Sequence, residues 1–141
     1  MNFSSPCALH RRRLVCVLLL AALTTSTASR AAGDPDAVGL ETARAEHEAG
    51  RAVLIDIREP DEHATGVAKG VQLLPMRQLS ARLAEIPVDP GKPVFLICNT
   101  QNRSSATLRA LRQRGYAHVR YVTGGMSEWS RRGWPLVKPT L

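Results

Sequence analysis

The sequence predicts an α/β fold: a small parallel sheet with helices on both faces. Ala52-Val-Leu-Ile-Asp-Ile57 and Phe95-Leu-Ile-Cys98 are short, near-continuous apolar runs, as expected of parallel strands buried on both sides. Segments with helical spacing separate such runs, and this alternation is the mark of a parallel sheet. The third observation is local. The run ending at Cys98 breaks into Asn99-Thr-Gln-Asn102, polar and turn-prone, then resumes as the helical pattern Ser104–Arg114, stopped by Gly115.

Taken in order, the chain opens with a segment that does not belong to the fold. Arg11-Arg-Arg13 precedes an apolar run, Leu14 to Leu23, and the small residues Ser26-Thr-Ala28. Residues 1–28 thus read as a secretory signal peptide, the run being too short for a membrane span. The expected location is periplasmic or secreted, with no stable span once the signal is removed. Residues 29–37, with Asp34-Pro-Asp36, read as a linker, and residues 38–138 as the domain. Roughly 110 residues then remain, near the commonest domain size.

Glu41 to Gly50 has a helical pattern closed by glycine, with His47 and the acidic residues on a solvated face. Ala52–Ile57 is the first strand, carrying Asp56 near its carboxyl end. A carboxylate there is costly unless paired, so it should cap loop amides or meet an arginine. Pro60 opens a short helical turn, and Val71–Leu74 is a strand stopped by Pro75. Gln78–Ile86 has helical spacing, with Leu79, Leu83 and Ile86 on one face. Pro87 to Pro93 is a loop rich in breakers. After the central strand and its helix come a strand over Tyr116–Val122, a turn at Gly124-Gly125 and a helix over Met126–Arg132. Arg109, Arg112 and Arg114 read as solvated, and Trp129 and Trp134 as packing residues.

Cysteine usage focuses the functional reading. Cys7 and Cys16 fall in the signal segment, which leaves Cys98 alone in the rest of the chain. A single thiol on an exported protein calls for a reason. Here a buried strand delivers it to the start of a helix, whose first turn leaves about four N–H groups unpaired. Such a setting favours a thiolate and holds an anion. Cys98 is therefore expected to be an exposed nucleophile in an anion cradle.

Three stretches, in order, resemble a single-domain rhodanese, a sulfurtransferase family, here in an exported form. They are Asp56-Ile-Arg58-Glu-Pro-Asp-Glu62 with Gly66 and Gly70; the loop Cys98 to Arg103 with Ser104; and Gly124-Gly125, Trp129, Gly133 and Pro135. The resemblance implies a rhodanese-like fold and a Cys98 persulfide. It would take sulfur from a thiosulfate-like donor and give it to cyanide or a thiol, with a protein acceptor as a further option. Asn99, Thr100, Gln101, Asn102, Arg103 and Ser104 would bind substrate, Arg103 either holding an anionic donor or pairing with a carboxylate. Asp56 and Arg58 would support the loop. No metal or organic cofactor is implied. The chain departs from the family at Gln101, where many members have glycine, and at Asn99, often arginine. Val67 replaces a common histidine, and His63 a frequent aromatic. A left-handed backbone at Gln101 would cost about 1 kcal/mol or more.

Other classes fit less well. The net charge of +7 includes the three signal arginines. The remaining positive charge is spread out, with few aromatics, so it suits small anions better than nucleic acid. Phosphatases related to this fold carry a loop one residue longer than the four between Cys98 and Arg103. A thiol oxidoreductase would need a second cysteine. A low-turnover sulfur-carrier or docking module is the main alternative, since fold alone does not fix activity.

Overall fold

The computed structural model describes residues 33–139, so the signal-peptide reading of residues 1–28 lies outside the described residues. The chain runs β1 (Ala37–Val38), α1 (Leu40–Glu48), β2 (Val53–Asp56), α2 (Pro60–His63), β3 (Gln72–Leu73), β4 (Val94–Ile97), α3 (Asn102–Arg112), β5 (Val119–Val122) and α4 (Gly125–Arg131). The five strands make one parallel sheet in the order β1-β5-β4-β2-β3, so the expected α/β class is found.

Side-chain alternation along the central strands divides the core in two. Leu54, Phe95 and Ile97 face one side, where they meet Leu40 and Ala43 of α1 and Met126 and Trp129 of α4. Ile55, Val94, Leu96 and Cys98 face the other side, against Leu108 and Leu111 of α3. Helices therefore cover both faces. Because all strands are parallel, their carboxyl ends lie along one edge. The chain order reverses between β4 and β2, and open α/β sheets bind ligands at such a point. Cys98 follows β4 there, and Asp56 closes β2 beside it.

Three local expectations are corrected. Gln78–Ile86 is no α-helix: it is bounded by two single 3₁₀ turns, Met76–Gln78 and Leu83–Glu85. Pro75 and Pro87 bound the segment too tightly for an α-helix to repay its nucleation, although Leu79 and Ile86 are buried as their spacing implies. Ala37, expected in the linker, pairs with Tyr121 in the first strand. Arg112 is not simply solvated, because it donates to Asp36 (2.6 Å) and to the Val119 carbonyl (3.1 Å). It thereby ties the lead-in to α3 and β5. Trp129 does pack in the core, edge-on to Trp134 with centroids 5.0 Å apart. No helix among the described residues is long and apolar enough to cross a membrane.

Candidate active site

The cysteine loop is shaped by what holds its carbonyls. Met126 N–H donates to the Cys98 carbonyl and Ser127 N–H to that of Asn99, both at 2.8 Å. Between them, Gly125 (φ +59°) sits so close to the loop that a Cβ there would lie 2.2 Å from the Thr100 oxygen and 2.5 Å from that of Cys98. Three successive carbonyls thus turn toward α4. In a trans peptide the C=O and the next N–H point opposite ways, so the amides of Asn99, Thr100 and Gln101 turn away from α4. The amides of Asn102, Arg103 and Ser104 belong to the first turn of α3, where no intrahelical acceptor exists. Among the described residues none of these six N–H groups has a protein acceptor.

The cysteine side chain lies on the α3 side of the sheet, the side those amides face. Its thiol reaches the Ser104 hydroxyl at 3.5 Å, and that hydroxyl donates to the Gln101 carbonyl at 3.1 Å. One expectation fails here. Cys98 is only 1% exposed, not open to solvent. It directly follows the central strand, and Ser104, itself fully buried, lies against the sulfur. The rim is what solvent reaches: Asn99, Thr100, Gln101 and Asn102 are all exposed.

Gln101 departs from expectation too. Its φ is −155° and its ψ −10°, so the backbone is not left-handed and no left-handed penalty arises. Its side-chain Oε1 accepts from Gly124 N–H at 3.2 Å, adding a link between the loop and the α4 turn.

Arg103 does not reach toward solvent anions. Its guanidinium forms a two-pronged pair with Glu62, each N–O distance 2.6 Å. Glu62 also accepts from Glu59 N–H, and the two side chains make a reciprocal capping box at the start of α2. With the Arg103 guanidinium as first cause, the Glu62 carboxyl is held down at about 2. Arg103 is raised further by the same carboxylate. Of the two roles foreseen for Arg103, pairing with a carboxylate is the one the structure places.

Asp56 and Arg58 are both buried and form a forked pair, with the shortest contact 2.7 Å. Arg58 goes on to the carbonyls of Gly66 (2.8 Å) and Glu62 (3.3 Å). The two residues therefore hold α2 and the Gly66 turn rather than touching the cysteine loop, and α2 in turn holds Arg103. Burial works against the Asp56 carboxylate, but the nearby His63 ring and the hydrogen bonds from Arg58 outweigh it and bring its pKa below the ordinary range. His63, buried at 3%, brings Nε2 within 3.5 Å of Asp56, a close approach short of a well-formed hydrogen bond.

Glu62, Gly125 and His63 are site components that residue-by-residue reading did not assign. The capping signature Glu59-Pro-Asp-Glu62 was the available signal for the first. Nothing in the sequence pointed to the approach of Gly125 to the loop.

A family model described as Rhodanese-like domain matches residues 40–132. The chain belongs to the rhodanese-like family. This rhodanese-like chain is 38% identical over 87 residues to a protein of Allochromatium vinosum named sulfurtransferase, a match covering 62% of this chain and 79% of the other. It is also 38% identical over 79 residues to an uncharacterized Bacillus subtilis protein, covering 56% of this chain and 61% of that one. Among solved structures it resembles a rhodanese-related protein of Thermoplasma volcanium, with TM-score 0.62, 26% identity, and 73% and 98% of the two chains covered. A Staphylococcus aureus rhodanese-like domain protein, at 21% identity and TM-score 0.64, shares the fold.

Proposed function

We propose that the protein is a sulfurtransferase in which Cys98 carries sulfane sulfur from a thiosulfate-like donor to a thiophilic acceptor. The rhodanese-like family and the sulfurtransferase relative support sulfur transfer in general. The observation that carries the finer reading is the set of six uncommitted amides, Asn99 to Ser104, on the side of the loop that holds the sulfur. Preset donors of this kind stabilise charge without reorganising as it forms.

In the first half-reaction the Cys98 thiolate attacks the outer sulfur of the donor. The donor's S–S bond breaks, sulfite leaves with the bonding electron pair, and a Cys98 persulfide forms. In the second, cyanide or a thiolate attacks the outer sulfur of the persulfide. Thiocyanate or a new persulfide leaves, and the Cys98 thiolate returns. No outside oxidant or reductant is needed. A disulfide-type bond is about 2 Å long, so the transferable sulfur lies about that far from the buried Sγ.

Burial of Cys98 favours a second reading as well, a sulfur carrier of low turnover that shelters its persulfide for a partner. One experiment separates the readings. Intact-mass measurement should show a gain of one sulfur atom after exposure to thiosulfate, absent in Cys98→Ser, and added cyanide should remove it as thiocyanate. Loading with turnover slower than about one event per minute would favour the carrier. No loading, or equal activity in Cys98→Ser, would end both. Measured on protein from the exported fraction, the same mass would test our proposal that residues 1–28 direct export to the periplasm or medium and are removed.

A further inference from the structure

Three buried side-chain nitrogens have no hydrogen-bond partner among the described residues: Nε2 of His63 and the Nε atoms of Arg112 and Arg120. Both arginines bond through another guanidinium nitrogen, whereas the His63 ring forms no hydrogen bond among those residues. Buried polar groups are normally paired, so the ring needs a reason. It faces the Asp56 carboxylate, with Nε2 3.5 Å from Oδ1. A bare lone pair there would be repelled by the oxygen, so the ring hydrogen is assigned to Nε2. The contact is longer than a formed hydrogen bond, but away from water an N–H dipole facing a carboxylate still attracts it.

His63 also ends α2, a helix of four residues. Its N–H donates to the Glu59 carbonyl at 3.0 Å, and its carbonyl accepts from Gly66 N–H at 2.9 Å. Its neighbour Glu62 grips Arg103 at the start of α3. A single helical turn does not hold its own place, so whatever seats it on β2 also sets Glu62. We infer that His63 is a positioning residue: its Nε2–H, facing the buried Asp56 carboxylate, seats α2 on β2 and thereby fixes where Glu62 holds Arg103 and the first turn of α3. The ring makes no hydrogen bond to Cys98 or its loop and acts only through α2. This role presupposes Cys98 as the sulfur-accepting thiolate proposed above.

The test follows single-turnover loading of Cys98 from thiosulfate by intact mass, beside urea unfolding, for His63→Phe, His63→Asn and His63→Gln. Phenylalanine fills the space of the ring without a donor. Asparagine keeps an amide but is too short to reach Asp56, and glutamine can bring an N–H to the place of Nε2. His63→Phe should unfold near the wild-type midpoint yet load about tenfold more slowly at saturating thiosulfate, because displaced positioning groups are costly in rate, with little change in KM. His63→Asn should be as slow, and His63→Gln should recover most of the rate. Because the effect passes through Glu62, the losses in His63→Phe and Glu62→Gln should not add in the double variant. If the ring serves packing alone, His63→Phe will load at the wild-type rate, or His63→Asn and His63→Gln will load alike; either result, or fully additive losses with Glu62→Gln, overturns the inference. Should His63→Phe fail to fold, the asparagine and glutamine pair decides. Failure of the wild-type protein to load sulfur overturns the Cys98 reading instead, and this one with it.

Discussion

Gly125 governs the cysteine loop although it belongs to the neighbouring helix. Two demands meet there: a left-handed backbone and the absence of a Cβ, because three loop carbonyls stand where it would be. Gly125→Ala meets both penalties, about 1–2 kcal/mol for the backbone and more for the displaced loop. We expect a loss of about 3 kcal/mol in urea unfolding and a fall in sulfur loading of more than tenfold, since the carbonyls that set the amide direction must move. A residue inert in chemistry but intolerant of one methyl group is hard to see in a sequence. Gly124-Gly125 reads as a turn, correctly, but nothing local says that a loop some twenty-five residues earlier packs on it. Cys98 shows the converse. Its position after an apolar strand is plain from the residues, yet its depth depends on Ser104 lying against the sulfur, which is tertiary. At Asp56 the sequence shows the problem, a carboxylate in a buried strand, and the structure supplies its partner. Asp56→Asn leaves Arg58 buried without a counter-charge and should cost about 3–5 kcal/mol, read as a lowered denaturant midpoint.

The short helix α2 links the second strand to the cysteine loop. Its capping box fixes Glu62, Glu62 fixes Arg103, and Arg103 opens α3. Glu62→Gln separates the parts of this device, since glutamine still serves a capping box but cannot neutralise Arg103. The stability cost should be small, about 1 kcal/mol for a half-exposed pair. Release of the guanidinium beside the rim should lower KM for thiosulfate, while loosened loop geometry lowers kcat. A parallel fall in both kcat and affinity would show that Arg103 stays out of reach of the donor. Because the Glu62 carboxyl titrates at about 2, the pair stays intact from pH 4 to 8, and its loss cannot shape the activity profile there. At this scale the sequence was legible where a pattern was long or sharply punctuated. The central strand, α3 and α4 all lie within two or three residues of expectation. It misled where periodicity lacked length: Gln78–Ile86 has the buried face of a helix but only isolated 3₁₀ turns at its ends, and the two-residue β1 has no pattern to read.

Across the whole molecule, acidic groups hold distant parts together. Tyr121 donates to Asp34 at 2.8 Å, Arg112 to Asp36 across 76 residues of sequence, and Arg103 to Glu62 across 41. Asp34, Asp56 and Glu62 all have pKa values held below the ordinary carboxylate range. For Asp34 the first cause is the Asp36 backbone N–H. For Asp56 burial opposes the shift, but the nearby His63 ring and the hydrogen bonds from Arg58 overcome it. For Glu62 the first cause is Arg103. The sign follows from proton binding. In the unfolded chain these groups take up protons near pH 4 to 4.5, whereas in the folded chain they resist until lower pH. The unfolded state therefore binds more protons in that window, and stability rises with pH through it. Their contribution is fully present above about pH 5 and is lost as pH falls toward 2, the folded value for Glu62. Urea midpoints should stay level from pH 7 to 5 and fall steeply from 4.5 to 2.5. Asp56→Asn should flatten that fall more than Asp34→Asn, because the exposed Asp34 is screened by water while Asp56 sits in the core. Equal slopes in the two variants would mean that the buried pair is not what couples folding to acid, and that the forked contact between β2 and the Gly66 turn contributes no more than a surface bridge.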